Sequence, residues 1–118
     1  MDLSAKFATT LAELREILTT TDKLTLVYFY TEWSPPCRNI RFDFMQVACT
    51  NTDMMYVAVN MDHAKAIGGK LDITLDDIPA LVVFKDGHKV TTIKHVTKAI
   101  MYNTDYPTEP LEKNPKPL

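Results

Sequence analysis

The sequence predicts an α/β domain in which helices flank a central mixed sheet. The clearest strand signal is the run from Leu24 to Tyr30, which is apolar at nearly every position and therefore suits a strand that is buried on both faces. Strand-like and helix-like stretches alternate around this run, which favours parallel strands joined by helices. An Asp-Gly pair at positions 86–87 lies between the last two strand-like runs and predicts an antiparallel hairpin.

The first two elements are a short strand over residues 2–8 and a helix that begins near Thr10. Alternate residues of the strand, Phe7 among them, are apolar, as expected when one face is buried. Thr10 and Glu13 have the spacing of a capping box, and the apolar residues that follow them recur at helical intervals. The threonines at 19–21 end this helix.

Two helices and one strand follow the central strand. A helix opens at Ser34-Pro35, where the serine hydroxyl can accept an orphan backbone N–H and proline suits the first turn, and it runs to about Cys49. A second apolar strand covers 54–59, and a short helix over 63–71 is weakened by two adjacent glycines. The residues of the first of these helices expected to face the core are Ile40, Phe44, Val47 and Ala48.

The C-terminal part of the chain contains the hairpin, a last helix and a tail. The hairpin joins an apolar strand over 81–84 to an alternating edge strand over 90–96. A final helix over 97–104 has room for barely two turns. The next residues carry four prolines, so we expect one domain over 1–104 and an extended or disordered tail over 105–118.

Composition narrows the functional classes. A net charge of −2 offers no electrostatic reason to bind nucleic acid or an anionic membrane, and no apolar run approaches the roughly 20 residues that span a bilayer. Two cysteines twelve positions apart suit neither a disulfide scaffold nor a zinc site, and the three histidines are scattered. The N-terminus lacks the features of a signal peptide. We therefore expect no metal, no cofactor and a reducing intracellular compartment, with the cytoplasm as first choice.

One short stretch carries the chemistry. The residues Trp-Ser-Pro-Pro-Cys-Arg at 33–38 follow the central strand and open the next helix. In a strand–turn–helix setting of this kind, a Cys-x-x-Cys motif is typical of a redox site. Only the second cysteine, Cys37, is present here, and Ser34 stands in the place of the first.

Four features in order and spacing resemble the thioredoxin family over about residues 5–100. Leu26–Trp33 looks like the family's central strand with the tryptophan that flanks its active site, and Ser34–Arg38 looks like the redox tetrad with its basic follower. Ile78-Pro79 is similar to the Ile–cis-Pro pair that faces the tetrad, and Phe84–Gly87 to the family's hairpin turn. The resemblance implies a thioredoxin fold with a shortened last helix.

Three residues depart from the family pattern. Ser34 replaces the exposed nucleophilic cysteine, and a hydroxyl cannot form a disulfide, so the dithiol cycle is not available. Tyr28 stands where the family commonly keeps a buried aspartate, its candidate base, and a tyrosine with an ordinary pKa of about 10 would not replace it. Phe42 occupies a helix position at which many members have a kinking proline.

Each cysteine has two interpretations. Cys37 could form a mixed disulfide with glutathione or a partner protein, or it could be a small buried residue that packs the start of its helix. We expect Cys49 to be a packing residue at the end of that helix. The candidate catalytic residues are therefore Cys37, as a residual thiol, and Ser34, at the nucleophile position.

The resemblance also implies a peptide-binding groove, in which an extended segment pairs with backbone beside the cis-proline. Pairing of that kind needs no thiol. The candidate peptide-binding residues are Trp33, Pro35, Pro36, Ile78, Pro79 and Ala80.

Two functions remain open, and the sequence favours the first. The first is a thioredoxin-like domain without the nucleophilic cysteine that binds a protein partner at the Trp33/Pro79 groove or serves as a subunit of a larger assembly. The alternative is a thiol–disulfide oxidoreductase of the thioredoxin family. It would use Cys37 alone, or Ser34 would be an engineered replacement of a native cysteine, against which Tyr28 argues because blocking turnover would not require it.

Overall fold

A five-stranded mixed sheet forms the centre of the computed structural model, which describes residues 5–103, 105–109 and 118. The strands are β1 (Ala5–Phe7), β2 (Leu24–Tyr30), β3 (Met54–Asn60), β4 (Ala80–Lys85) and β5 (His88–Ile93). The helices are α1 (Leu11–Thr19), α2 (Pro35–Asn39), α3 (Arg41–Thr50), α4 (Lys65–Lys70) and α5 (Lys98–Tyr102). The strand order is β1-β3-β2-β4-β5, with β1, β3 and β2 parallel and β4 and β5 antiparallel to their neighbours. The predicted α/β architecture is confirmed.

The strand β2 lies in the middle of the sheet and contributes to the core on both sides. Val27 and Phe29 pack on one face, whereas Leu26 and Tyr28 pack on the other, and all four are buried. Burial of one large apolar side chain stabilises the fold by about 1.5–3 kcal/mol, so a strand that is apolar at nearly every position is most stable here. The loop after Tyr30 therefore starts from a rigid support.

Two helical layers cover the sheet. Helices α1 and α4 bury Leu14, Leu18 and Ile67 on the face of Val27 and Phe29. Helices α3 and α5 bury Phe44 and Met101, among others, on the opposite face. The carboxyl end of β2 lies between these layers, and the chain leaves it toward α2.

The start of α1 confirms the predicted capping box. The Thr10 hydroxyl accepts the backbone N–H of Glu13 at 3.1 Å, and the Glu13 carboxylate accepts the backbone N–H of Thr10 at 3.0 Å. The same carboxylate also accepts the Thr9 hydroxyl at 2.6 Å. These hydrogen bonds, the Thr9 hydroxyl first among them, hold the pKa of Glu13 below its ordinary value.

The single helix predicted from Pro35 to about Cys49 is wrong, because two helices occupy this stretch. Helix α2 ends at Asn39 and α3 begins at Arg41, with Ile40 between them at φ −111° and ψ 8°. The N–H of Ile40 bonds to the carbonyl of Cys37 at 3.3 Å, a tight final turn of the 3₁₀ type. Ile40 is buried in the same core cluster as Phe44, so the break keeps the apolar sides of both helices on the sheet. The predicted inward residues are all buried.

The hairpin is confirmed, but its second strand is shifted. Asp86 and Gly87 have positive φ of 53° and 80°, as a two-residue turn of this type requires. The strand β5 runs over His88–Ile93 and not over 90–96. A bulge shifts the register between Val83 and Phe84, which interrupts the predicted alternation.

The chain leaves the sheet after Ile93 for a local reason. His95 has a positive φ of 55°, and its N–H bonds to the carbonyl of Asp77 at 3.0 Å. Val96 then bonds through its N–H to the carbonyl of Pro79 at 2.7 Å. These contacts draw the segment toward the loop before β4, so it cannot continue as an edge strand.

The helix predicted over 63–71 is shorter, since α4 covers only Lys65–Lys70. Gly68, one of its two glycines, packs closely against Met61. A Cβ atom at Gly68 would lie 2.5 Å from the Met61 Cε and 2.8 Å from its Sδ. The glycine that weakens the helix by propensity thus lies in a closely packed place, where a larger residue would require the flexible end of Met61 to move.

The ends of the chain are described only in part. Residues 2–4 of the predicted first strand lie outside the described residues, and Phe7, expected on the buried face, is exposed. Helix α5 has five residues and begins after Thr97, which confirms the short last helix. Residues 104 and 110–117 are also outside the described part, so the predicted boundary and tail remain predictions. Tyr106 is buried, and its hydroxyl donates to the carbonyl of Ile100 at 3.1 Å.

Candidate functional site

The predicted tetrad lies where β2 ends, between the two helical layers. Trp33 projects outward with 57% of its surface exposed, and its indole Nε1 donates to Asp62 Oδ1 at 3.2 Å. Asp62 follows β3, so this hydrogen bond joins the two loops that leave the ends of neighbouring parallel strands. The tryptophan ring is thus fixed beside Ser34.

Ser34 is the N-cap residue of α2, but the expected hydroxyl cap is absent. The second helical residue, Pro36, has no N–H to donate, and the Ser34 hydroxyl does not accept the N–H of the third, Cys37, either. The Ser34 carbonyl still accepts the N–H of Arg38 at 3.0 Å. The two prolines thus start the helix without help from the serine side chain, which is buried.

Cys37 is a free thiol one turn into α2. The residue is only 2% exposed, as the packing interpretation expects. It also lines a cavity whose mouth is formed by exposed side chains, and this gives the thiol a second environment. Both interpretations of Cys37 therefore have structural support.

The prediction for Cys49 is wrong. Val47 and Ala48 are the inward residues at this end of α3, and Cys49 comes one position later, on the outer side of the helix, where it is exposed. A helical step of one residue turns the side chain by about 100°, so an inward Ala48 leaves Cys49 facing away from the sheet. Any experiment on thiol reactivity must therefore treat both cysteines.

The groove implied by the resemblance has the expected backbone. The Ile78–Pro79 peptide bond is cis, and Ala80 pairs with Phe29 near the end of β2. The side chains of Ile78, Pro79 and Ala80 are buried, whereas Pro35 and Pro36 are exposed. Within residues 5–103, 105–109 and 118, no hydrogen bond uses the N–H or the carbonyl of Ile78. The role of this backbone in binding a strand-like segment stays a prediction.

A cavity of about 430 Å³ lies on the other side of the tetrad, between the ends of β1, β2 and β3 and the start of α3. Its walls are mainly aromatic and aliphatic. The residues that line the interior include Tyr28, Tyr30, Thr31, Cys37, Phe44, Met45 and Ala58, and those at the mouth are Phe7, Glu32, Arg38, Arg41 and Phe42. Phe42, at the family's proline position, is 80% exposed.

Tyr28 forms much of the cavity wall. Its ring stacks on Tyr30 with centroids 5.4 Å apart and on Phe44 at 4.5 Å. Burial raises the pKa of Tyr28 far above the ordinary value, and the nearby Cys37 and Tyr30 raise it further. Tyr28 therefore stays protonated at neutral pH and does not replace a carboxylate base.

This cavity was not predicted from the sequence. It arises from the pairing of two neighbouring strands: Tyr28 on β2 pairs with Ala58 on β3, so a methyl group lies beside the tyrosine where a longer side chain would fill the space. That pairing cannot be known until β2 and β3 are aligned.

Among the described residues, no group of three or more His, Cys, Asp and Glu side chains is placed to hold a metal ion. No helix in the described ranges is long and apolar enough to cross a membrane.

Comparisons with known proteins agree with the geometry. The thioredoxin family model matches residues 5–103. The chain is 35% identical over 82 residues to a thioredoxin of Mycoplasmoides gallisepticum, which covers 70% of this chain and 79% of that protein. It is 31% identical over 88 residues to thioredoxin 1 of Plasmodium falciparum, covering 75% of this chain and 82% of that protein.

Solved structures show the same likeness. A thioredoxin structure from Plasmodium falciparum has a TM-score of 0.71 at 29% identity and covers 80% of this chain and 91% of its own. The thioredoxin of Fasciola hepatica has a TM-score of 0.71 at 26% identity, with 75% of this chain and 85% of that chain covered. The predicted thioredoxin fold is confirmed, and this chain belongs to the thioredoxin family.

Proposed function

We propose that this chain is a thiol–disulfide oxidoreductase of the thioredoxin type that works through one cysteine, Cys37. Relatives that are themselves named thioredoxins favour redox chemistry over a purely structural role. The sequence favoured the binding role, so the comparisons shift the balance to the alternative. A reducing compartment such as the cytoplasm, as the sequence predicts, would suit a free thiol.

The observation that carries the proposal is that Cys37 lies on the wall of a cavity. A thiol that only packs a helix against the sheet would have no open space beside it. The exposed side chains at the mouth mark the side from which a small disulfide would approach.

The reaction is limited to one exchange. The Cys37 thiol loses its proton to solvent, and the thiolate attacks one sulfur of a disulfide. The old S–S bond breaks, a mixed disulfide with Cys37 forms, and the other sulfur leaves as a thiolate. Since Ser34 has no sulfur, a second thiol from solution, such as glutathione, must release the product.

A protein-binding role without chemistry is the second candidate, and the unpaired backbone of Ile78 favours it. An extended segment can pair with this N–H and carbonyl beside cis-Pro79, with the exposed Trp33 ring nearby. In this case Cys37 is a packing residue, and the domain contributes a rigid surface to a partner or a larger assembly.

Native mass spectrometry after incubation with glutathione disulfide separates the candidates. The exposed Cys49 would react in any case, so the test uses the Cys49→Ser variant and, as its control, the chain with both Cys49→Ser and Cys37→Ser. One-cysteine chemistry predicts one glutathione adduct on the folded Cys49→Ser variant, reversed by reduced glutathione, and none on the control. If the adduct forms only after denaturation, one-cysteine chemistry is excluded and the protein-binding role remains.

A further inference from the structure

The cavity beside Tyr28 has the size and the walls of a small-molecule site. Its volume of about 430 Å³ falls within the range of about 300–1,000 Å³ that is usual for such sites. The rings of Tyr28 and Tyr30 stack at an interplanar angle of 8°, and Phe44 packs on Tyr28. Flat aromatic walls of this kind accept a flat apolar ligand.

Two buried hydroxyl groups on the cavity lining lack partners. Tyr28 is 3% exposed and Thr31 1% exposed, and neither its phenol oxygen nor the Thr31 Oγ1 makes a hydrogen bond within the described part of the chain. Buried hydroxyls are nearly always hydrogen-bonded, because leaving one unpaired is costly. Each hydroxyl is thus an unused donor next to the cavity, and because its oxygen is covered, an occupant reaches it only when the lining shifts.

The mouth has an excess of positive charge. Arg38 and Arg41 line it together with a single acidic side chain, Glu32. The two ion pairs found among the described residues are formed by other side chains, Lys94 with Asp77 and Lys98 with Asp43. A guanidinium matches the geometry of a carboxylate, so the mouth suits an anionic group of that shape.

From these observations, we propose that the cavity binds a small aromatic carboxylate. The flat ring lies in the cavity beside Tyr28 and Phe44, and the carboxylate accepts hydrogen bonds both from the Tyr28 hydroxyl and from a guanidinium at the mouth, that of Arg38 or Arg41. The site does not depend on any reaction of Cys37, so this proposal and the proposed function can be tested independently.

The test is an NMR titration of the Cys49→Ser chain with 2-naphthoate, and with 2-naphthamide as the neutral probe of the same shape. We expect saturable shifts of the backbone amides around Tyr28 and Ala58, with 2-naphthoate binding several-fold more tightly than the amide. Tyr28→Phe removes one donor and should weaken 2-naphthoate binding about three- to tenfold. Tyr56→Phe is the matched control, because Tyr56 is buried in the same core, accepts the Asn51 side-chain N–H at 3.2 Å and does not line the cavity.

Ala58→Leu tests the space itself. The added side chain points into the cavity and should reduce 2-naphthoate binding at least tenfold. If circular dichroism shows that this variant is unfolded, the comparison of Tyr28→Phe with Tyr56→Phe tests the proposal instead. The proposal is overturned if 2-naphthoate gives no saturable shifts, in which case water alone fills the cavity, or if folded Ala58→Leu binds as tightly as the parent. It is also overturned if both tyrosine variants lose affinity equally or neither does.

Discussion

The starts of helices α1 and α2 look alike in sequence and differ in structure. Each begins after a hydroxyl residue, Thr10 or Ser34. Thr10 takes part in a complete capping box with Glu13, whereas the Ser34 hydroxyl caps nothing, and Pro35 and Pro36 supply the helical φ instead. The start of α1 depends on the Thr10 side chain for stability. The start of α2 does not depend on the side chain at position 34, so that residue can change without loss of the helix.

The largest stability effect is expected at the first start. Thr10→Ala removes the hydroxyl that accepts the Glu13 N–H, so the free energy of unfolding should fall by about 1 kcal/mol. Urea unfolding followed by circular dichroism measures this change. A loss no larger than that of a surface substitution would mean that the two helix starts do not differ in this way.

The stability that Glu13 adds at the start of α1 should depend on pH. The folded pKa of Glu13 lies below its unfolded value, mainly through the Thr9 hydroxyl. Ionised Glu13 therefore adds stability that is present above the unfolded pKa and is lost as the pH falls through the folded pKa. The difference in unfolding free energy between the wild type and Glu13→Gln should shrink between pH 7 and pH 3. A difference that stays constant over that range would contradict the assigned role.

The smallest effect is expected at the second start. Ser34→Ala removes a hydroxyl that makes no cap bond, so the free energy of unfolding should change by less than about 0.5 kcal/mol. The same urea titration serves, with Thr10→Ala as the reference. A loss comparable to that of Thr10→Ala would show that Ser34 does cap α2.

Much of the fold could be predicted because local pattern and burial agree. Leu24–Tyr30 is a strand at the predicted residues, and Thr10 with Glu13 opens α1 as expected. The misses come from contacts distant in sequence. His95 bonds to Asp77 and ends β5 early, and Ile40 breaks a helix so that both halves pack on the sheet.

The candidate site also has some features that local sequence predicts and others that it does not. The positions of Ser34, Cys37 and cis-Pro79 follow from motifs that are short and local. The cavity depends on the pairing of Tyr28 with Ala58, and the Ser34 hydroxyl makes no cap bond although its residue type and position favour one. Neither can be read from residue types taken one at a time.

The central claim is that Cys37 carries out one disulfide exchange, and that the dithiol cycle is missing because position 34 has no sulfur. Insulin-disulfide reduction, measured with dithiothreitol on the Cys49→Ser chain with and without Ser34→Cys, tests it most directly. We predict slow turnover above the reagent background without Ser34→Cys, because Cys37 exchanges once and dithiothreitol then releases the product. With Ser34→Cys we predict a rate on the order of a hundredfold or more higher, because the change restores the attacking thiol. Equal turnover in the two chains, or none in either, would contradict the claim.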